Sequence, residues 1–274
     1  MKTFKLIGTG MLMLLCVTAC HKENATNGAD SIVNPKQVFV NGMPKQIGGM
    51  KITQNAAGLV TKIESEDGVV TFEYPAAVET RAVLPGQLVT AKVVQDAGTK
   101  DEDRFTLKME IGSNGFVKHC DETDKEGNLQ TWDFTYSAEG NLTGMKRSEG
   151  GNETTTITYK DGDIVKTSTV SAEEEDPYVY TISYTSDAVS APIENKGCLM
   201  FYDTTFGVDM DEMESIYFAG LLGKATKHLP VKKTGESHSY TFTDDFTWKL
   251  DSKGFPVLLE FYDGDFKLTV PMVW

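Results

Sequence analysis

The chain has 274 residues, with 40% hydrophobic and 10% aromatic content, enough for a substantial core, and its 26 Lys and Arg against 40 Asp and Glu give a formal net charge of −14 at pH 7. Phosphate recognition needs a basic surface, so this balance excludes nucleic acid as an expected partner. No Pro/Ser-rich linker interrupts the chain after about residue 35, so residues 35–274 are read as one domain rather than two small ones.

At the N-terminus, Lys2 and Lys5 precede an apolar run from Leu6 to Val17, broken by small residues and followed by Val17-Thr18-Ala19-Cys20. The run is too short to span a bilayer as a permanent helix and reads as the core of an export signal over residues 1–19. The stretch VTAC resembles the bacterial lipobox, whose cysteine is acylated and becomes the first mature residue. On that resemblance Cys20 carries acyl chains buried in a leaflet, and residues 20–34 form a polar, flexible tether. His21-Lys22-Glu23 is similar to the surface-export signal of Bacteroides-type lipoproteins, with one Glu in place of an acidic run. The expected address is the outer membrane, on either its periplasmic or its cell-surface face.

Along the body of the chain a glycine preceded by polar residues and followed by an apolar step recurs at Gly58, Gly115, Gly127, Gly140, Gly162, Gly254 and Gly264. Glycine supplies the positive φ of tight hairpin turns, and Asp, Asn or Ser ahead of it hydrogen-bonds back to the turn backbone. Between the turns residues alternate, as in Trp132-Asp133-Phe134-Thr135-Tyr136 and Thr156-Ile157-Thr158-Tyr159. This spacing predicts a mainly β domain, a curved antiparallel meander forming an open or partial barrel.

One segment departs from that period. In DMDEMESIYFAGLLGK, Asp209 and Glu212 have the spacing of a capping box, and Met213, Ile216, Tyr217, Gly220 and Leu221 fall on one helical face. Gly223 is placed to end the helix, and Lys224, Lys227 and His228 would complement the negative pole of its dipole. One α-helix near 209–223, packed on the sheet, is expected.

The last residues, DFKLTVPMVW, place Phe266, Leu268, Val270, Met272 and Trp274 at alternate positions up to a terminal aromatic, a pattern shared with strands that close outer-membrane barrels. A membrane barrel needs about nine to eleven residues per strand with an apolar side toward lipid, which would leave the helix without a partner. The reading is instead the last strand of a lipid-tethered soluble domain, with Pro271 at an edge or strand end and Trp274 packed on the helix side.

The stretch YFAGLLGKATKHLPVK, followed by SYTFTDDFTWKLDSKGFPVLLEFYDGDF, resembles Bacteroides-type lipoproteins that carry a domain of unknown function, numbered 4595 and described as porin-like in fold. The resemblance covers roughly the C-terminal two-thirds and weakens before about Gly115. It implies a curved antiparallel sheet in a secreted lipoprotein. It implies no activity, so no catalytic residue follows from it.

The chemistry of individual residues is consistent with a non-enzymatic role. None of His21, His119, His228 and His238 has metal-ligand spacing, and neighbours in His119-Cys120-Asp121 point to opposite faces of a strand. The acidic runs Asp101-Glu102-Asp103 and Glu173-Glu174-Glu175-Asp176 lack the calcium-loop pattern and read as solvated hairpin tips. No nucleophile elbow or phosphate-binding loop is present, and neither a catalytic residue nor a cofactor is expected. With Cys16 in the signal and Cys20 acylated, Cys120 and Cys198 could form one disulfide or remain two core thiols, the reading preferred here.

Two functions are compatible with these features. In the first, an accessory or binding module grips a glycan with exposed aromatics, for which Trp132, Tyr202 and Trp248 are candidates along with Tyr178, Tyr180 and Tyr184. In the second, a groove between the curved sheet and the helix carries a lipid-like molecule, lined by Met210, Met213, Ile216, Tyr217 and Phe218. The acyl chains on Cys20 make the membrane a partner in both, and an outer-membrane protein assembly is a further possible one.

Overall fold

All seven turn glycines adopt a positive φ, between +59° at Gly264 and +94° at Gly162. At four of them the preceding polar residue acts in the same way. Asn55, Asp124, Ser137 and Asp251 each accept side-chain hydrogen bonds from the backbone N–H groups two and four residues on. Their carbonyls accept from the turn glycine's own N–H. One polar residue thus satisfies most of the turn, leaving the following apolar residue to start a strand.

In the computed structural model, which describes residues 33–75, 85–173, 176–237 and 240–274, these turns join nineteen strands. They are β1 (Gln46–Ile47), β2 (Met50–Gln54), β3 (Val60–Glu64), β4 (Gly68–Glu73), β5 (Leu88–Gln95), β6 (Asp103–Ile111), β7 (Val117–Asp124), β8 (Leu129–Tyr136), β9 (Leu142–Arg147) and β10 (Thr154–Lys160). There follow β11 (Asp163–Val170), β12 (Tyr178–Ser183), β13 (Ile193–Glu194), β14 (His228–Leu229), β15 (Lys232–Ser237), β16 (Tyr240–Asp245), β17 (Thr247–Leu250), β18 (Pro256–Asp263) and β19 (Phe266–Val273). Seventeen of them form one antiparallel sheet that curves into a nearly closed barrel, while β13 and β14 pair separately.

The barrel wall closes where β19 lies between β18 and β1, with Val273 opposite Gln46 and Met272 opposite Ile47. Pro271 is therefore not at an edge. Its carbonyl accepts from Gly48 N–H at 2.7 Å, and β19 is the closing strand. Close to this seam, β16 and β17 follow one another through Phe246, the first pairing with β15 and the second with β18.

The faces of this barrel are reversed relative to a lipid-facing one. Val89, Ala91 and Val93 of β5 are buried inside, while Lys92 between them is exposed and pairs with Glu73 at 2.5 Å. Outward pairs Lys62–Glu64, Lys118–Glu110 and Lys249–Glu260 repeat this around the wall. A membrane barrel would present apolar residues there.

The interior is filled by the stretch between β14's partner β13 and β14 itself. Leu199, Met200, Tyr202, Phe206, Val208, Met210, Met213, Ile216, Tyr217, Phe218, Leu221 and Leu222 are all nearly or completely buried. Each such side chain contributes about 1.5–3 kcal/mol of burial. This plug is tied to the wall by Leu221 O accepting from Val117 N, Phe206 O from Thr167 Oγ1, and Gly140 O from Lys224 N.

The helix in the plug is shorter than its spacing predicts. A 3-10 turn, Asp211–Met213, runs directly into the α-helix Glu214–Phe218, and Met210, not Asp209, stands ahead of it. Asp209, one residue earlier, still accepts from Asp211 N–H through Oδ1 at 3.3 Å, while its Oδ2 binds Arg147 at 2.9 Å. Gly220, with φ +77°, follows the last turn, so the helix stops before Gly223. Lys224, Lys227 and His228 do not lie in its last turn. The first two donate backbone N–H groups to Gly140 and Gly162, and His228 Nδ1 pairs with Asp163 at 2.6 Å.

Trp274 also departs from expectation. Its ring lies against Phe255, with centroids 4.8 Å apart, and its N–H donates to Pro256 O at 2.7 Å, on the wall rather than on the plug helix.

Candidate functional site: a groove between the sheet and the plug helix

The inner faces of neighbouring strands place Ile63 opposite Val70 and Val70 opposite Val93, an apolar row across β3, β4 and β5. All three side chains are buried or nearly so. Facing them, the helix Glu214–Phe218 contributes Phe218 and Ser215. Between the two lies a groove of about 360 Å³, closed at one side by Met50. That volume is at the low end of the roughly 300–1,000 Å³ typical of small-ligand pockets.

The rim is acidic. Asp67 and Asp96 come from the turns after β3 and β5, and Asp211, Glu212 and Glu214 from the plug. The two turns are clamped together, since Asp96 N–H donates to Asp67 O at 2.7 Å. Asp96 and Asp211 both sit in the left-handed region, at φ +49° and +42°, which Asp tolerates better than most residues. Among the described residues no Lys or Arg lines the groove.

Arg147, just outside it, is committed elsewhere. Its side chain is only 7% exposed and meets Glu153 at 2.6 Å, Asp211 at 2.5 Å and Asp209 at 2.9 Å, with Glu149 at 3.4 Å. It also lies 5.5 Å from the centroid of the Trp132 ring. One guanidinium thus faces four carboxylates, leaving this end of the barrel negative.

The carboxyl groups register that excess. Burial, reinforced by the Asp203 charge and opposed by the Tyr202 backbone N–H, raises Glu214 to about 7. Burial and the neighbouring Asp209 raise Asp211 to about 6 in spite of Arg147. Burial also raises Glu212, whose Oε1 accepts from Gln95 Nε2 at 3.2 Å. Beneath them, burial raises Glu122 to about 7, opposed by a hydrogen bond from Trp132.

Of the aromatic candidates, Trp132, Tyr202 and Tyr217 are fully buried, and their polar atoms are taken. Trp132 Nε1 donates to Glu122 at 2.7 Å, Tyr202 Oη to Leu222 O at 3.3 Å, and Tyr217 Oη to Cys198 O at 2.6 Å. They are core residues and offer no face to a ligand. Trp248 is half-buried, donates to Pro230 O at 2.7 Å and borders a separate depression of about 550 Å³. Among the five residues expected to line a groove, only Phe218 does so, because Met210, Met213, Ile216 and Tyr217 pack within the plug. A groove does lie between sheet and helix, but its far wall and two of its acids, Asp67 and Asp96, come from β3–β5 and their turns, where nothing in the local sequence marks a site.

Cys120 is buried and Cys198 half-buried, and both are free thiols. His119 contacts Asp133 and Asp121 on the outer face while Cys120 points inside. Among the described residues no group of three or more His, Cys, Asp or Glu could hold a metal ion. Cys20 lies outside the described residues.

Residues 45–258 match the family described as a domain of unknown function (DUF4595) with porin-like fold. The chain belongs to that family. The match begins well before Gly115, so the strands of the N-terminal third, which supply the groove floor, are part of the family domain. Two solved structures share its architecture. A porin-like protein from Bacteroides uniformis is 18% identical with a TM-score of 0.58, covering 82% of this chain and 88% of that one. A porin-like protein from Bacteroides vulgatus is 12% identical with a TM-score of 0.56, covering 85% and 98%. At these identities the likeness concerns the fold alone. No curated protein is significantly similar to the chain.

Proposed function

We propose that this porin-like domain is a non-enzymatic binding module of the bacterial envelope, tethered through Cys20, that holds a small, partly apolar ligand between β3–β5 and the plug helix. The observation that carries this reading is the groove: an apolar row, Ile63, Val70 and Val93, forms one wall, and Phe218 of the plug helix lines the other. Glycan recognition is left with the half-buried Trp248, Tyr180 and Tyr184 and the exposed Tyr178, since Trp132, Tyr202 and Tyr217 are in the core. A whole lipid is a poor match for about 360 Å³, so the ligand is smaller.

The test is native mass spectrometry and thermal denaturation of the purified full chain with a panel of small amphiphiles. A stabilising, saturable ligand that is lost in Ser215→Phe supports the reading. Absence of any shift across the panel refutes it. The tether is tested separately by metabolic labelling with a radioactive fatty acid, which should mark the chain and fail to mark Cys20→Ala.

A further inference from the structure

Resting on the groove reading above, we infer that the ligand is a cationic amphiphile, an apolar chain carrying a protonated or quaternary amine. The apolar row of β3–β5 and Phe218 would receive the chain, and Asp67, Asp96 and Glu212 at the rim would receive the amine.

Charge complementarity selects this occupant. Five acidic side chains border the groove, Asp211 among them already paired with Arg147, and among the described residues no basic side chain lines it. The nearest guanidinium, Arg147, already faces four acids and is nearly buried. A free carboxylate or phosphate on the ligand would be placed beside like charges at low dielectric, a cost of several-fold or more in affinity. A wholly apolar ligand would fill the floor but leave the rim charges unrelieved. An amine at the rim gains from both, because opposite charges close to a low-dielectric wall attract more strongly than in water. The two turn aspartates are exposed and carry no ion pair to Arg147, unlike Asp211, and they share a short backbone link.

The experiment compares three eight-carbon probes by isothermal titration calorimetry on the full chain: octyltrimethylammonium, 1-octanol and octanoate. The expected order is octyltrimethylammonium at least tenfold tighter than octanol, with octanoate weakest. In Asp67→Asn/Asp96→Asn the preference for the ammonium over octanol should fall at least fivefold while octanol binding is unchanged. Asn is suited to this pair because it tolerates the left-handed backbone of Asp96. Ser215→Phe, at the groove mouth, should weaken both probes. Equal affinity for ammonium and octanol, or a preference unaffected by the double variant, overturns the inference while leaving the groove reading intact. Binding of no probe overturns both. Ammonium binding that survives Ser215→Phe unchanged places the cation elsewhere and also overturns the inference.

Discussion

The indole N–H of Trp132 donates to Oε2 of Glu122 at 2.7 Å, and both side chains are buried. Burial raises the carboxyl to about 7 in the folded chain, against about 4.3 for an unperturbed Glu. Between those values the folded state holds a proton that the unfolded state has released. The stability this group contributes is complete below about pH 4 and is lost as pH rises through about 7. Glu214, also raised to about 7, and Asp211, raised to about 6, act in the same direction. His119, raised by its hydrogen bond to Asp133, adds stability that is likewise lost as pH rises. We expect the melting temperature to fall between pH 5 and pH 8. In Glu122→Gln, whose amide oxygen can still accept from Trp132, the fall should be shallower by roughly a third. Calorimetry across this range checks it, and an unchanged slope would exclude Glu122 as a contributor.

Arg147 gives a prediction of opposite character. It is enclosed by Glu153, Asp209, Asp211 and Glu149, so Arg147→Met removes the one cation and leaves the acids facing each other. Breaking a fully buried ion pair from one side costs about 3–5 kcal/mol; here the loss should be smaller, because Asp209, Asp211 and Glu149 are 56%, 41% and 45% exposed and screened by solvent. Because the liability left behind is negative charge, protonation should relieve it. The variant should recover a substantial part of the loss between pH 7 and pH 5, measured by urea denaturation at both. A deficit that is constant with pH would mean lost packing on Trp132 rather than lost charge.

Two glycines separate backbone strain from steric clash. Gly207 has φ +61°, and a Cβ there would lie 2.5 Å from Cδ2 of Tyr180. Gly58 has φ +83° but faces open space. Gly58→Ala should cost only the left-handed penalty of about 1–2 kcal/mol. Gly207→Ala should cost clearly more, since the plug must also shift from β12. Equal costs in equilibrium denaturation would show that Tyr180 yields freely.

How much of this was legible in the sequence differs by part. The hairpins were legible because each is a local device: Asp124 and Gly127 need only their own neighbours to form the turn. The plug helix was overextended because Gly220, read as part of its apolar face, takes φ +77° and ends the helix before Gly223. Trp132 could be read as core or as ligand platform, since an aromatic at an alternating strand position faces inward or outward according to the curve of the whole sheet. The groove rim was not legible at all. Asp67 and Asp96 become neighbours only through the register of β4 with β5, and they meet the plug residues only when the barrel closes around it.

The two remaining cysteines allow a direct check of the barrel's interior. Cys120 lies on the inner face of β7, opposite Trp132 on β8, and burial drives its thiol far from the reactive thiolate. Cys198 is in the plug, at φ +52°, with its carbonyl held by Tyr217 Oη, and burial raises its thiol as well. Neither is bonded to the other. With iodoacetamide at pH 8 and no reductant, peptides containing Cys120 should remain unmodified in the native chain, and those containing Cys198 should react slowly. In 6 M guanidinium, still without reductant, both should be alkylated completely, as peptide mass spectrometry can read. A disulfide between them would instead keep both peptides unmodified in guanidinium until reductant is added. Rapid native labelling of Cys120 would show that the barrel opens at β7–β8, and would displace the plug from its role as the permanent core.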